Sequence, residues 1–250
     1  MTEPYVTLNI KNKVGYIEFY HPNRNSIPSD ILVKLKATIE DAGSNEAIHV
    51  IVIKSGGDRT FCAGASFNEV MAVQDTEQGK AFFSGFANVI NAMRICPKLI
   101  IGRVQGKTVG GGVGIAAATD YCLATKQASI RLSELSIGIG PFVIEPAVTR
   151  KIGLTAMSQL TLDAETFFTA EYAKRNGLFA DVFETVGALD EAVKELTEKL
   201  SNYNPEALKR MKSVFWEGTE HWDTLLTERA EISGALVLSK FTKNTLKRFR

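Results

Sequence analysis

Histidine is scarce in this chain of 250 residues: His21, His49 and His221 are scattered, and no two of them stand at helical spacing as a metal pair would. No nucleophile-elbow sequence is present either, so a Ser–His–Asp triad finds no support. Cys62, Cys96 and Cys122 are odd in number and lack metal-ligand spacing. They are expected to be reduced thiols in an intracellular compartment, and no metal site is expected. The net charge of +1 provides no global field that would draw in nucleic acid or a membrane surface. No segment is apolar for long enough to span a bilayer. Met1-Thr2-Glu3-Pro4 carries neither a basic amphipathic stretch nor an apolar signal core. A cytoplasmic protein without nucleic-acid or membrane partners is the expectation.

What is present is ordinary in bulk and informative in pattern. Hydrophobic residues make up 45% of the chain and charged residues 23%, enough for a sizeable core in one large domain or a domain with an appendage. Val6, Leu8 and Ile10 alternate with polar residues, Asn12-Lys13 turns, and Val14-Tyr16-Ile17-Phe19 returns, which reads as a hairpin over Tyr5–Tyr20. Ser29-Asp30 starts a helix with Ile31, Leu32, Leu35 and Ile39 on one face. Strands are expected at His49–Lys54, Leu99–Val104, Tyr121–Ala124, Ser129–Leu132 and Asp181–Thr185, with a helix through Ala81–Met93 and mostly helix after Glu145. Strands alternating with helices argue for a wound α/β core. No internal repeat is visible. A soft boundary near Asn202-Tyr203-Asn204-Pro205 divides a core, 1–200, from a helical region, 201–250.

The run Val109-Gly110-Gly111-Gly112-Val113-Gly114, followed by Ile115-Ala116-Ala117-Ala118, carries the most information. Consecutive glycines permit close approach of the backbone, and the alanines behind them favour helix. A helix starting there turns unpaired N–H groups and the positive end of its dipole toward the occupant of the turn. A second such junction follows Val50-Ile51-Val52-Ile53, at Phe61-Cys62-Ala63-Gly64-Ala65, and in open α/β folds ligands sit at the carboxyl ends of strands. Two phosphate-binding readings fail on spacing. Between Gly102 and Gly106 stand three residues where a P-loop needs four, and Ile115 stands where a dinucleotide fingerprint needs its last glycine.

Taken together, Asn25-Ser26-Ile27, Phe61 to Ala65, Arg103-Val104-Gln105-Gly106 with Gly110-Gly111-Gly112, Asp120, and Ser133-Glu134-Leu135-Ser136-Ile137-Gly138-Ile139 strongly resemble the crotonase superfamily, the enoyl-CoA hydratase/isomerase family. The resemblance covers nearly the whole chain. It implies a ββα superhelix with a C-terminal helical appendage at subunit contacts, a homotrimer or hexamer, and an acyl-CoA thioester as substrate. Coenzyme A then arrives with the substrate, and no separate cofactor is implied. By position the backbone N–H groups of Ala65 and Gly111 match the family's oxyanion hole. Asn25, Ala63, Gly64, Ser66, Phe67, Asn68, Gly110, Gly112 and Phe142 match positions lining the substrate path.

Hydratases of this family use two glutamates, since hydration needs water activated and a proton delivered. Here the first of those positions is Gly114, and the second, Glu134, is retained. A single carboxylate suffices to take a proton from one carbon and return it to another, the logic of the Δ3,Δ2-enoyl-CoA isomerase branch. Where most hydratases have a glycine-rich run opening the acyl pocket, this chain has Pro141-Phe142-Val143-Ile144-Glu145. Phe142 or Ile144 is thus expected to narrow that pocket. Glu145 is read as an acid at a helix start, with a replacement second carboxylate as the alternative. The basic tail of Lys240, Lys243, Lys247, Arg248 and Arg250 reads as a solvated helix face, with a grip on coenzyme phosphates as its alternative. Two rivals to the isomerase stay open: an enoyl-CoA hydratase, including one for branched or carboxylated substrates such as methylglutaconyl-CoA, and a non-catalytic acyl-CoA-binding homologue.

Overall fold

Runs of β-branched residues form the spine of the molecule. The computed structural model, which describes residues 3–248, pairs Tyr5–Lys11 (β1) with Val14–Tyr20 (β2) as an antiparallel hairpin. Asn12 and Lys13 take φ of 50° and 64°, the left-handed pair that matches the strand twist in a two-residue turn. From β2 the large sheet continues in parallel through Val50–Ser55 (β3), Leu99–Val104 (β5), Tyr121–Thr125 (β7) and Asp181–Phe183 (β10). All six residues of β5 are buried, because a parallel strand covered on both faces needs an unbroken apolar run.

A second sheet of very short strands accompanies the first. Thr60–Cys62 (β4), Lys107–Val109 (β6) and Ser129–Arg131 (β8) run parallel, and Phe168–Thr169 (β9) pairs antiparallel with β8. Three times, a strand of the large sheet leads to one of the small sheet and then to helical structure: β3 to β4, β5 to β6, β7 to β8. That is a ββα superhelix, a mixed α/β architecture. Its repeat escapes sequence inspection because β4 and β6 are three residues long and run directly into glycine-bearing turns, which mask any alternation.

Ser29–Ser44 (α1) buries the expected Ile31, Leu32, Leu35 and Ile39. Phe67–Ala72 (α2) is short, and Thr76–Ile95 (α3) begins earlier than its apolar spacing suggests. The reason is the cap at Asp75, whose carboxylate accepts from the Gln78 N–H at 2.8 Å and, on its other oxygen, from the Gln78 side-chain amide at 2.8 Å. Gly111–Ala117 (α4) is buried throughout from Gly112 onward. Glu145–Leu162 (α5), kinked at Gly153, and Ala170–Arg175 (α6) follow. Val186–Ser201 (α7) covers the far face of the large sheet, with Leu189 and Val193 packed among Val14, Val50, Val52, Ile101 and Leu123.

Pro205–Phe215 (α8), Trp222–Leu236 (α9) and Lys240–Lys247 (α10) complete the chain. Trp222, Leu226 and Ala230 of α9 join the main hydrophobic core, and α9 lies against α3 where Gly79 meets Gly234. No helix among the described residues is long and apolar enough to cross a membrane.

α8 is anchored by a buried charge. Lys212, 2% exposed, donates to both carboxylate oxygens of Asp120 at 3.0 and 2.8 Å. The same carboxylate accepts from Trp216 Nε1 at 2.8 Å and from the Ile100 N–H at 2.7 Å. Removing one partner of a buried pair strands the other charge away from water, at a cost of about 3–5 kcal/mol. Asp120→Ala is therefore expected to lower unfolding free energy in urea by about that amount; a loss no larger than that of a typical surface substitution would contradict the assignment.

Candidate active site

The carboxyl ends of β4, β6 and β8 each open into a turn, and the three turns face one cavity of about 530 Å³. After β4 it is lined by Ala63, Gly64, Ala65 and Phe67; after β6 by Gly110 and Gly111; after β8 by Ser133 and Glu134. Its lining includes the apolar side chains of Val70, Phe83, Phe86, Ile137, Ile139, Phe142 and Ile144, and the basic ones of Arg24, Lys107 and Arg131.

Ala65 and Gly111 both line this space, and neither backbone N–H is taken up by the pairings around it. Ala65 forms a parallel bridge with Ile27, in which Ile27 N–H donates to the Gly64 carbonyl at 2.8 Å and Ser66 N–H to the Ile27 carbonyl at 3.2 Å. The Ala65 N–H is not one of the pairing donors. Gly111 is the first residue of α4, so its N–H is among those without an intrahelical acceptor. The preceding Gly110 has φ 52° and ψ −121°, and a Cβ on it would lie 2.8 Å from Glu134 Oε1. Only glycine lets the Glu134 carboxyl rest against the chain beside that donor.

Glu134 heads the single 3-10 turn Leu135–Ile137, and its carbonyl accepts from the N–H groups of Ile137 and Ile139 at 3.2 and 2.9 Å. Its Oε2 is buried without a hydrogen-bond partner. Burial pushes the carboxyl up to about 7, against the opposing pull of its own backbone N–H and the Arg131 charge. This is a poised proton acceptor at neutral pH. The cysteines offer no rival group: all three are free and buried, and burial pushes the Cys62 and Cys122 thiols up to about 12.

Of the residues expected from the sequence, Ala63, Gly64, Ala65, Phe67, Gly110, Gly111, Glu134 and Phe142 line the cavity, whereas Asn25, Ser66, Asn68 and Gly112 do not. Asn25 is buried and structural: its Nδ2 donates to the carbonyls of Gly56 and Thr60 at 2.7 and 2.9 Å, and its Oδ1 accepts from the His21 N–H at 2.9 Å. Its neighbours Asn23, Arg24 and Ser26 reach the cavity instead. Ser66 engages the Ile27 backbone ahead of α2, Asn68 is exposed on that helix, and Gly112 faces Cys62.

The position of a second carboxylate is closed. A Cβ on Gly114 would lie 2.4 Å from Ile144 Cγ2, so Ile144 fills the space a larger side chain would need. Glu145 does not line the cavity; its Oε1 accepts from Thr149 Oγ1 at 2.7 Å and its Oε2 lies 3.9 Å from Arg229. Its place in the first turn of α5 is the favourable one for an acid, and the replacement-carboxylate alternative falls. No sequence signal pointed to Arg24, brought to the cavity by the loop after β2, or to Lys107, Arg131, Phe86 and Phe167, brought there by β6, β8, α3 and the residue before β9.

Ala65, Gly111 and the buried acid Glu134 thus share one cavity, an arrangement chemically able to hold an anion and move a proton. The chain matches the Enoyl-CoA hydratase/isomerase family over residues 9–247. It is 27% identical over 247 residues to the short-chain-enoyl-CoA hydratase of Clostridium acetobutylicum, covering 98% of this chain and 94% of that one. It is 24% identical over 239 residues to the peroxisomal Delta(3,5)-Delta(2,4)-dienoyl-CoA isomerase of Arabidopsis thaliana, covering 87% and 84%. An enoyl-CoA hydratase structure from Bacillus halodurans shares the fold with a TM-score of 0.90 over 98% of this chain and 99% of that one, at 23% identity. The chain belongs to the enoyl-CoA hydratase/isomerase family of the crotonase superfamily.

The sign of the Glu134 shift sets its stability effect. With the folded pKa near 7 and the ordinary value at 4.5, the folded state binds the extra proton between these values, and the ionised carboxyl is a full burden above pH 7. Glu134→Gln is expected to raise the melting temperature at pH 8, with a smaller gain at pH 5, where the wild-type carboxyl is already protonated on folding. An equal gain at both pH values would contradict burial as the cause.

Proposed function

We propose that the protein is an enoyl-CoA isomerase that moves a double bond from C3–C4 to C2–C3 of an acyl-CoA thioester. The thioester carbonyl oxygen sits between the N–H groups of Ala65 and Gly111. The Glu134 carboxylate removes a proton from C2, the C2–H electron pair passes into a dienolate, and negative charge collects on the oxygen. Fixed backbone donors stabilise that charge, each contributing about 2.7–4 kcal/mol to the barrier by analogy with other oxyanion sites. Glu134, now the acid, returns the proton to C4, and the double bond re-forms between C2 and C3. Coenzyme A is part of the substrate, and no cofactor is required. The observation that carries this reading is the lone acid: Glu134 is the one carboxylate lining the cavity among the described residues, with Ile144 packed where a second would stand.

Hydration is the second reading, favoured by the similarity to named hydratases such as the Clostridium acetobutylicum enzyme. It requires water activated by Glu134 alone. On the family resemblance we further propose a homotrimer or hexamer, with residues 201–250 contributing to the contacts; the exposed Phe241 and Ile232 there are apolar surface for such contacts.

Matched 3-enoyl and 2-enoyl thioesters separate the readings. Double-bond migration is expected to outrun water addition, and Glu134→Gln to lose at least about 100-fold in kcat, the lower range for a positioned acid–base group. In wild type, kcat/KM is expected to rise with pH to a plateau above about 7, where the free carboxyl is ionised. Faster water addition would assign the chain to the hydratases, and binding without turnover of either thioester would leave a non-catalytic homologue.

A further inference from the structure

The cavity carries charge that the transfer of a proton does not explain. Beside the apolar wall, its lining holds three basic side chains, Arg24, Lys107 and Arg131, against one acid, Glu134. The Arg131 guanidinium lies over the Phe167 ring at 4.5 Å from its centroid, and Lys107 Nζ stands 5.1 Å from the same centroid. Neither cation forms an ion pair among the described residues. Arg131 Nε is buried with no hydrogen-bond partner. A buried donor left unsatisfied is costly, and the residue that carries it lines the cavity, where a ligand could engage the guanidinium.

We infer that Arg131 and Lys107, held around Phe167, form a subsite for a carboxylate carried by the acyl group of the substrate; this rests on the proposed seating of the thioester carbonyl at Ala65 and Gly111. A guanidinium offers a planar fork that matches a carboxylate, and the aromatic shelf fixes its plane. Location selects the source of the anion. The Arg131 carbonyl accepts from the Gly110 N–H at 2.9 Å, next to the oxyanion turn, and the Arg131 charge acts on Glu134. The anion it meets therefore lies close to the reacting carbons. Coenzyme A phosphates are held away from the thioester by the long pantetheine arm, whereas a carboxylate a few carbons along the acyl group is within reach. The substrate class is a dicarboxylic mono-thioester.

Calorimetric binding of saturated, unreactive thioesters tests this without turnover, so its outcome is separable from that of the isomerase assay. Succinyl-, glutaryl- and adipyl-CoA are compared with butyryl-, valeryl- and hexanoyl-CoA, with free coenzyme A as a control. At least one carboxylated ligand is expected to bind roughly tenfold or more tightly than its uncharged match, as a charge-assisted contact in a buried site would give. Arg131→Met should abolish that preference, Arg131→Lys should restore part of it, and Lys107→Met, at an exposed residue, should reduce it. Equal binding of both series by the wild type overturns the inference. So does an Arg131→Met variant that weakens free coenzyme A as much as the carboxylated ligand, since the partner is then a phosphate.

Discussion

A carboxyl group kept from water against a glycine backbone is the constraint around which this molecule is arranged. Glu134 is placed there by a 3-10 turn, Gly110 makes room for it, and the apolar wall of α3 and the loop before α5 excludes solvent. The cost of holding a carboxylate in such a place appears as the upward shift of its pKa toward 7. A protein tolerates that cost where the shifted group does chemistry, because a base matched to neutral pH is the most effective proton carrier. The surrounding core, continuous from the large sheet into α9, supplies the stability that offsets it.

The small sheet turns this constraint into a site. Its parallel strands are too short to contribute much burial, yet they align three turns so that Ala65, Gly111 and Glu134 line one cavity. Backbone donors cannot rotate away or lose a proton, so an anion site of the proposed kind would be built once, at folding. The packing of Ile144 against Gly114 puts hydrocarbon where a second acid would stand, so in the proposed reaction Glu134 alone carries the proton. Family membership allows both hydration and isomerisation, and the difference between them rests on side chains at very few positions.

How legible this was depended on the length scale of the signal. The hairpin, α1, β3, β5 and the glycine-led helix were visible because each carries its pattern over many residues. β4, β6 and β9 went unread although β8 and β10, just as short as β4 and β6, were foreseen: β4 and β6 run straight into glycine-bearing turns and β9 has two residues, so the superhelical repeat was missed with them. Motif position located Ala65, Gly111 and Glu134 on the cavity, but it misplaced Asn25, whose amide bonds the Gly56 and Thr60 carbonyls rather than facing the ligand space. The cluster of Lys107, Arg131 and Phe167 could not be foreseen, because it arises from β9 pairing back onto β8, a register between segments remote in sequence.

Proton abstraction by Glu134 at the carbon beside the thioester can be measured most directly by solvent exchange. With butyryl-CoA in D2O, which has no double bond to move and none to hydrate, the wild-type protein should exchange C2 protons, as followed by NMR. The rate should rise with pH through about 7, as the Glu134 carboxyl ionises, and Glu134→Gln should show none above background. Exchange that persists undiminished in that variant would mean that another group carries the proton, and the central claim would be wrong.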